Sequence, residues 1–148
     1  MMPPFVVLPT NRIAHFVEVS LYFILSSTTS EFNALIQVCD TNTFIGARDK
    51  LMLLLMYNTG VRVSELLEIK ISDIHGADSI NHASVIIHGK GRKQREVPLW
   101  KTTVKYINKY LKTYPAECTD YLFINKNGDE LTRSGVVYEH ALINLYLK

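Results

Sequence analysis

The fold is decided by one stretch, Leu51-Met52-Leu53-Leu54-Leu55-Met56-Tyr57-Asn58-Thr59-Gly60-Val61-Arg62-Val63-Ser64-Glu65-Leu66, in which an apolar run leads to a glycine and then an arginine. The run predicts a buried helix over Ala47–Asn58, because a helix that is apolar all round offers solvent no polar face. Gly60 suits the left-handed residue that commonly ends a helix. A short helix over Arg62–Glu68 follows, so the stretch delivers Arg62 on a rigid element.

Arg62 and Glu65 lie three residues apart, which places them on the same side of that short helix. The planar fork of an arginine grips phosphate oxygens bidentately, and Glu65 is a candidate for orienting the fork. An arginine and a glutamate at this spacing also suit a purely structural ion pair at a helix start. These two residues alone leave both interpretations open.

A second motif lies between two strand-like segments, Ala83–His88 and Gln94–Leu99. They flank Gly89-Lys90-Gly91-Arg92-Lys93, which predicts a β-hairpin with a glycine-bearing turn. A P-loop is excluded, because Gly89-Lys90 is followed by glycine rather than Ser or Thr and leads to a strand. The segment is either a solvated basic turn or a phosphate-binding hairpin whose candidate ligands are Lys90, Arg92, Lys93 and Arg95.

The remaining segments predict helices and short strands. Thr28–Glu31 fits a capping box, and the helix that it opens is expected to bury Phe32, Leu35, Ile36 and Cys39. Short strands are expected at Ile69–Ile71 and Tyr121–Ile124, and a last helix is expected from Arg133 to the end. The order of elements indicates an α+β fold, mainly helical, with helices around a small antiparallel sheet or β-hairpin.

One more helix is predicted directly after the hairpin. Trp100, Val104, Ile107, Leu111 and Tyr114 recur at spacings of four and three residues, which defines a single helix face. The opposite face carries the lysine stripe, which consists of Lys101, Lys105, Lys109 and Lys112. Such a stripe suits contact with DNA phosphates, and it equally suits a solvated face.

Composition sets the class of protein. The 148 residues are 47% hydrophobic and 20% charged, which suits one globular domain and excludes a disordered or collagen-like chain. Residues 1–88 hold five Lys and Arg against eight Asp and Glu, whereas residues 89–148 hold eleven against six. Cys39 and Cys118 are too few for a disulfide scaffold or a zinc site, which favours a reducing cytoplasm. No apolar stretch reaches the ~20 residues that span a bilayer, and no signal peptide is visible.

Together the two motifs resemble the tyrosine recombinase (phage integrase) family over Thr28–Lys148. The arginine box, Thr59–Leu66, matches the family pattern Thr-Gly-x-Arg-x-Ser-Glu-Leu. The basic hairpin, Gly89–Leu99, matches Gly-Lys-Gly-x-Lys-x-Arg-x-Val-Pro-Leu at every fixed position. The resemblance also extends to integrases and transposases of mobile elements.

The resemblance implies a role for each site residue. Arg62 is the first catalytic arginine, which holds the scissile DNA phosphate, and Lys90 is the lysine that protonates the leaving 5′-oxygen. Glu65 is the acidic residue that supports the site. In this family a tyrosine attacks the phosphate to form a 3′-phosphotyrosyl link, and neither a metal nor a cofactor is implied.

The sequence departs from the family pattern at both ends. None of the five histidines is followed three positions later by arginine, so a His-x-x-Arg box is absent from the sequence. Tyr146 is interpreted as a core residue, which leaves no tyrosine nucleophile. Residues 1–27 are too short for the usual DNA-clasping domain and are expected to be a linker remnant or arm. Residues 28–148 are expected to be a catalytic domain that lacks its C-terminal half.

Three functions follow as hypotheses. The first is site-specific recombination or integration of a mobile element, with this chain a truncated and inactive fragment. The second is a non-catalytic DNA-binding module, and the third is a decayed gene product. Expected partners are double-stranded DNA, a second copy of the chain or an intact recombinase, with no membrane, in a cytoplasmic, nucleoid-associated location. Because the final helix stays apolar to its end, an exposed apolar patch and an uncovered side of Leu51–Tyr57 are also expected.

Overall fold

The computed structural model describes residues 28–79, 81–115 and 119–133. Its helices are α1 (Thr29–Val38), α2 (Phe44–Thr59), α3 (Val63–Leu67) and α4 (Lys101–Thr113). Its strands are β1 (Ile74–His75), β2 (Ser84–His88) and β3 (Gln94–Pro98), which form one antiparallel sheet in the order β1-β2-β3. The predicted α+β class, helices around a small antiparallel sheet, is confirmed. The expected arm over residues 1–27 and the expected helix beyond Arg133, including Tyr146, lie outside the described residues.

Helix α2 is the centre of the core. Every residue from Leu51 to Met56 is at most 4% exposed, so the expectation of an uncovered side on this run is wrong. The cluster around it includes buried residues of α4 and of the later segment, such as Ile107 and Phe123. Among the described residues, the one exposed large hydrophobic side chain is Trp100, at 49%.

The first helix and the lysine-bearing helix bury the faces that the sequence predicts. Phe32 is buried, while Ile36 and Cys39 are partly buried against the core, and the side chain of Leu35 lies outside the described residues. In α4, Val104 and Ile107 are fully buried. The period of the apolar positions therefore identified the buried face within each helix. Trp100, which the prediction placed on the buried face of α4, is instead 49% exposed, because it precedes the first residue of α4 with extended backbone and does not follow the helical period.

Helix α2 begins at Phe44, three residues before the predicted start at Ala47. The Thr43 hydroxyl oxygen accepts a hydrogen bond from the Gly46 N–H at 3.0 Å, which caps the first turn. Gly46 therefore lies inside the helix instead of preceding it. A Cβ atom at this position would collide with the backbone of Asp40, so the glycine permits a close approach between loop and helix.

The two short strands predicted outside the hairpin are wrong as strands. The two segments are joined to each other only by the isolated bridge of Lys70 with Tyr121, and the second segment forms one further isolated bridge, Ile124 with Glu130. Residues 71–73 form a 3-10 turn instead, because the Asp73 carboxylate accepts the Lys70 N–H at 2.9 Å and closes the turn. The third strand of the sheet is Ile74–His75, which pairs with β2.

Candidate functional site

Arg62 is held outward by the backbone that joins α2 to α3. Gly60 adopts φ 63°, a left-handed conformation that ends α2 and turns the chain. Arg62 then has extended backbone, φ −74° and ψ 151°. Side chains alternate along extended backbone, and both neighbours, Val61 and Val63, are buried in the core. The Arg62 side chain is consequently exposed.

Glu65 binds the backbone of Arg62 and the side chain of Arg95. Its Oε2 accepts the Arg62 N–H at 3.0 Å. Arg95 donates from Nη1 to Oε1 at 3.2 Å and from Nη2 to Oε2 at 3.1 Å, a bidentate ion pair. The expectation that Glu65 orients the Arg62 guanidinium is corrected here: its guanidinium partner is Arg95, thirty residues along the chain.

The pKa of the Glu65 carboxyl is lowered by these contacts. The largest cause is the hydrogen bonding from Arg95, which stabilises the charged form. The Arg62 N–H and the positive charges of Arg95 and Arg62 act in the same direction, while burial opposes them. Glu65 is therefore held as a carboxylate, which suits a residue that holds cationic groups in position.

The turn of the basic hairpin packs against Glu65. A Cβ atom at Gly89 would lie 3.7 Å from Glu65 Oε1 and 3.3 Å from the Lys93 carbonyl oxygen. The Gly89 N–H donates to that same carbonyl at 2.7 Å, which closes the turn. The arginine box and the basic hairpin, which lie in distant parts of the sequence, thus meet at one carboxylate.

The hairpin turn presents three exposed cations. The side chains of Lys90, Arg92 and Lys93 are exposed, and none has a hydrogen bond or ion pair to another described residue. Gly91 adopts φ 73° and Arg92 adopts φ 63°. A left-handed conformation costs a non-glycine residue about 1–2 kcal/mol. Arg92 holds its charge at this position despite that cost.

The base of the hairpin is fixed by residues that sequence reasoning did not single out. The His88 ring lies 2.9 Å from Asp73 Oδ1 through Nε2 and 3.1 Å from Gln94 Nε2 through Nδ1. His88 and Gln94 are also cross-strand partners. The sequence signal for this contact is a pair of polar side chains on the last cross-strand pair before a glycine turn, here His88 and Gln94.

Neither a metal-binding cluster nor a membrane-spanning helix occurs in the described stretches. Within the described stretches, no group of three His, Cys, Asp or Glu side chains is arranged to hold a metal ion. None of the helices in the same stretches has the length and apolar character needed to cross a membrane.

Comparison with known proteins matches this arrangement to one family. The model of the phage integrase family matches residues 26–142, which is most of the chain. The chain belongs to the phage integrase family. Tyrosine recombinase XerC of Staphylococcus carnosus (strain TM300) is 37% identical over 111 residues, covering 73% of this chain and 36% of the relative. XerD of Listeria monocytogenes serotype 4b (strain F2365) is 36% identical over 107 residues, covering 68% and 35%.

Solved structures of the family share the fold. The crystal structure of XerA recombinase superimposes with a TM-score of 0.67 at 24% identity, covering 80% of this chain and 42% of that one. XerH bound to its difH substrate gives a TM-score of 0.55 at 23% identity, covering 79% and 36%. The integrase-family chain described here thus spans about a third of the length of the XerC and XerD relatives.

Proposed function

We propose that this chain supplies the phosphate-holding part of a tyrosine recombinase that acts in site-specific recombination or integration of a mobile element. One observation carries the proposal. The Glu65 carboxylate joins the backbone of Arg62, the side chain of Arg95 and the turn that bears Lys90. That carboxylate lies where cations from two distant segments converge, and a DNA phosphate is the anion that such a cluster suits.

Each residue has a separate task in the proposed site. Arg62, exposed and held by two buried valines, binds the non-bridging oxygens of the scissile phosphate and stabilises the charge that develops there. Lys90 donates a proton to the leaving 5′-oxygen. Glu65 and Arg95 act as positioning residues that hold the hairpin against α3. Arg95, which the sequence suggested as a phosphate ligand, is engaged with Glu65, so the proposed DNA ligands of the hairpin are Lys90, Arg92 and Lys93.

The covalent step is proposed to lie beyond this chain. The 148 residues contain no His-x-x-Arg box, and we assign none of the eight tyrosines as the nucleophile. Incubation with a nicked suicide DNA substrate is therefore expected to give no protein–DNA adduct. A covalent adduct that maps to any tyrosine would contradict the proposal that the chain alone is inactive.

DNA binding by the hairpin is the direct test of the site. Each phosphate contact contributes about 0.9 to the slope of log K against log salt on duplex DNA. Replacing Lys90, Arg92 and Lys93 by Gln is expected to flatten that slope by about 2–3. The control Lys70→Gln with Lys126→Gln removes exposed lysines from other segments and is expected to change the slope by less than about 0.5. A hairpin variant with the parental slope would contradict the assigned site.

A second function, a DNA-binding module without catalysis, needs only the exposed charges of the hairpin, and the left-handed backbone of Arg92 favours a binding role for its charge. Arg92→Gly relieves the left-handed strain at φ 63° and is expected to raise the free energy of unfolding by about 0.5–1 kcal/mol. The same change is expected to weaken DNA binding. A variant that is more stable in urea but binds DNA more weakly would support selection for the Arg92 charge. A variant that loses both stability and DNA affinity would contradict it.

The partner and the location are part of the same proposal. The solved XerH recombinase is bound to difH substrate, and this supports duplex DNA as the partner of the present chain. A DNA-acting chain is proposed to work in the cytoplasm at the nucleoid. We also propose pairing with an intact recombinase, which would bring a His-x-x-Arg box and a tyrosine nucleophile to the same DNA. A cross-linked complex of the two proteins on DNA is the test of this pairing.

A further inference from the structure

The lysine stripe of α4 is a second cationic surface. Lys101, Lys105, Lys109 and Lys112 are all exposed. At about 100° per residue they fall within about 80° of the helix circumference, over a length of about 16 Å. Lys109 donates to the Thr41 hydroxyl at 2.9 Å. The other three have no hydrogen bond or ion pair within the part of the chain that the structure describes.

Most of this arrangement is unfavourable for the helix itself. Like charges three and four residues apart repel one another, and α4 contains no Asp or Glu to offset them. Lys101 lies in the first turn, where the positive end of the helix dipole disfavours a cation. Only Lys112, in the last turn, is favourably placed with respect to the dipole. An anionic partner bound along the stripe would offset this repulsion.

The composition of the exposed face favours DNA over an acidic protein as that partner. Protein interfaces have an apolar or aromatic centre and are depleted in lysine, whereas DNA interfaces are strongly positive and polar. In α4, Val104 and Ile107 are buried on the other face, while Tyr106 and Leu111 are partly buried against the core. The lysine stripe itself therefore offers phosphates their ligands, and the exposed aromatic side chain closest to it in sequence, Trp100, precedes the helix.

The stripe also begins near the proposed catalytic residues. Asn58, four residues before Arg62, accepts the Trp100 N–H at 2.8 Å and the Thr103 hydroxyl at 3.0 Å. The Lys101 end of α4 is thereby held against the end of α2 that leads to Arg62. We infer that the lysine stripe binds the phosphate backbone of duplex DNA as a second contact surface, separate from the hairpin. The inference rests on the proposed function and extends it.

The test compares matched double variants that each remove two charges. Lys101→Gln with Lys105→Gln changes the stripe, and Lys70→Gln with Lys126→Gln is the control with the same net charge. Binding to a duplex of about 30 base pairs and mixed sequence is measured by fluorescence anisotropy over a range of salt concentrations. The stripe variant is expected to flatten the log–log slope by about 2, while the control leaves it within about 0.5. Circular dichroism melts confirm that both variants fold.

The outcomes separate this inference from the proposed function. A stripe variant that keeps the parental salt slope overturns the inference. The proposed function survives that result if the hairpin variant Lys90→Gln with Lys93→Gln still flattens the salt slope. If neither variant changes the slope, the proposed function falls as well. Poly-glutamate serves as a probe for an acidic protein partner. If it binds the parental chain but not the stripe variant, and does not displace DNA, the stripe is assigned to an acidic protein and the inference is overturned.

Discussion

Removing the Arg95 guanidinium tests whether the Glu65–Arg95 pair holds the hairpin against α3. Arg95→Ala leaves the Glu65 carboxylate, whose side chain is 13% exposed, with the Arg62 N–H as its remaining contact from this network. Exposed ion pairs contribute ~0.2–1 kcal/mol, with the upper end reserved for bidentate geometry. The Arg95 side chain is 44% exposed, so we expect a loss of about 1 kcal/mol at pH 7. With a urea m-value of about 2 kcal/mol/M, the midpoint falls by about 0.5 M.

The pH dependence of this loss identifies its source. Because the pKa of Glu65 is lowered in the folded chain, its stabilisation is present above the ordinary carboxyl pKa and is lost as pH falls through the lowered value. The effect of Arg95→Ala is therefore expected to shrink as urea titrations move from about pH 7 toward about pH 3. Lys93→Ala removes one charge from the same hairpin without breaking a pair and is the control. Equal losses for the two variants, or a loss independent of pH, would refute the reasoning.

Three other predictions follow from the fold. Gly46→Ala introduces a collision at the start of α2 and is expected to cost about 1–3 kcal/mol in urea unfolding. Arg48→Met removes a fully buried guanidinium from its ion pair with Asp49 and is expected to cost ~3–5 kcal/mol, measured by thermal melting. Burial raises the pKa of the Cys39 thiol to about 11. Alkylation of Cys39 at about pH 8, followed separately from Cys118 by peptide mass mapping, is expected to be about two orders of magnitude slower than that of a free thiol.

Local signals in the sequence predicted much of the fold. Gly60 is left-handed at the end of α2, and the hairpin turns at Gly91 with φ 73°. Both features depend on the residue itself and its immediate neighbours, as does the period of apolar positions along α4. The convergence of the arginine box and the basic hairpin came from resemblance to a family, since spacing alone does not bring such distant residues together.

The errors concern contacts between distant segments. The segments around the isolated bridge of Lys70 with Tyr121 are as rich in β-branched and aromatic residues as a true strand. Whether such a segment pairs over one residue or several depends on the segment opposite it in the fold. The guanidinium partner of Glu65 was also misassigned. Arg62 lies only three positions away in the sequence and was the obvious candidate, whereas the observed partner, Arg95, lies thirty positions away. The ion-pair partner of a carboxylate depends on how the elements pack. The distance between Glu65 and Arg95 in space is therefore not available from the sequence.

The buried Arg48 guanidinium has a consequence for how the chain is made. It donates a hydrogen bond at 3.0 Å to the carbonyl of Ile124, a residue 76 positions later. A ribosome that has just synthesised α2 has not yet produced that acceptor, and closing so long a loop is slow. The buried guanidinium of helix α2 therefore cannot complete its hydrogen bonds until Ile124 has left the ribosome, so the core around α2 is completed late in synthesis.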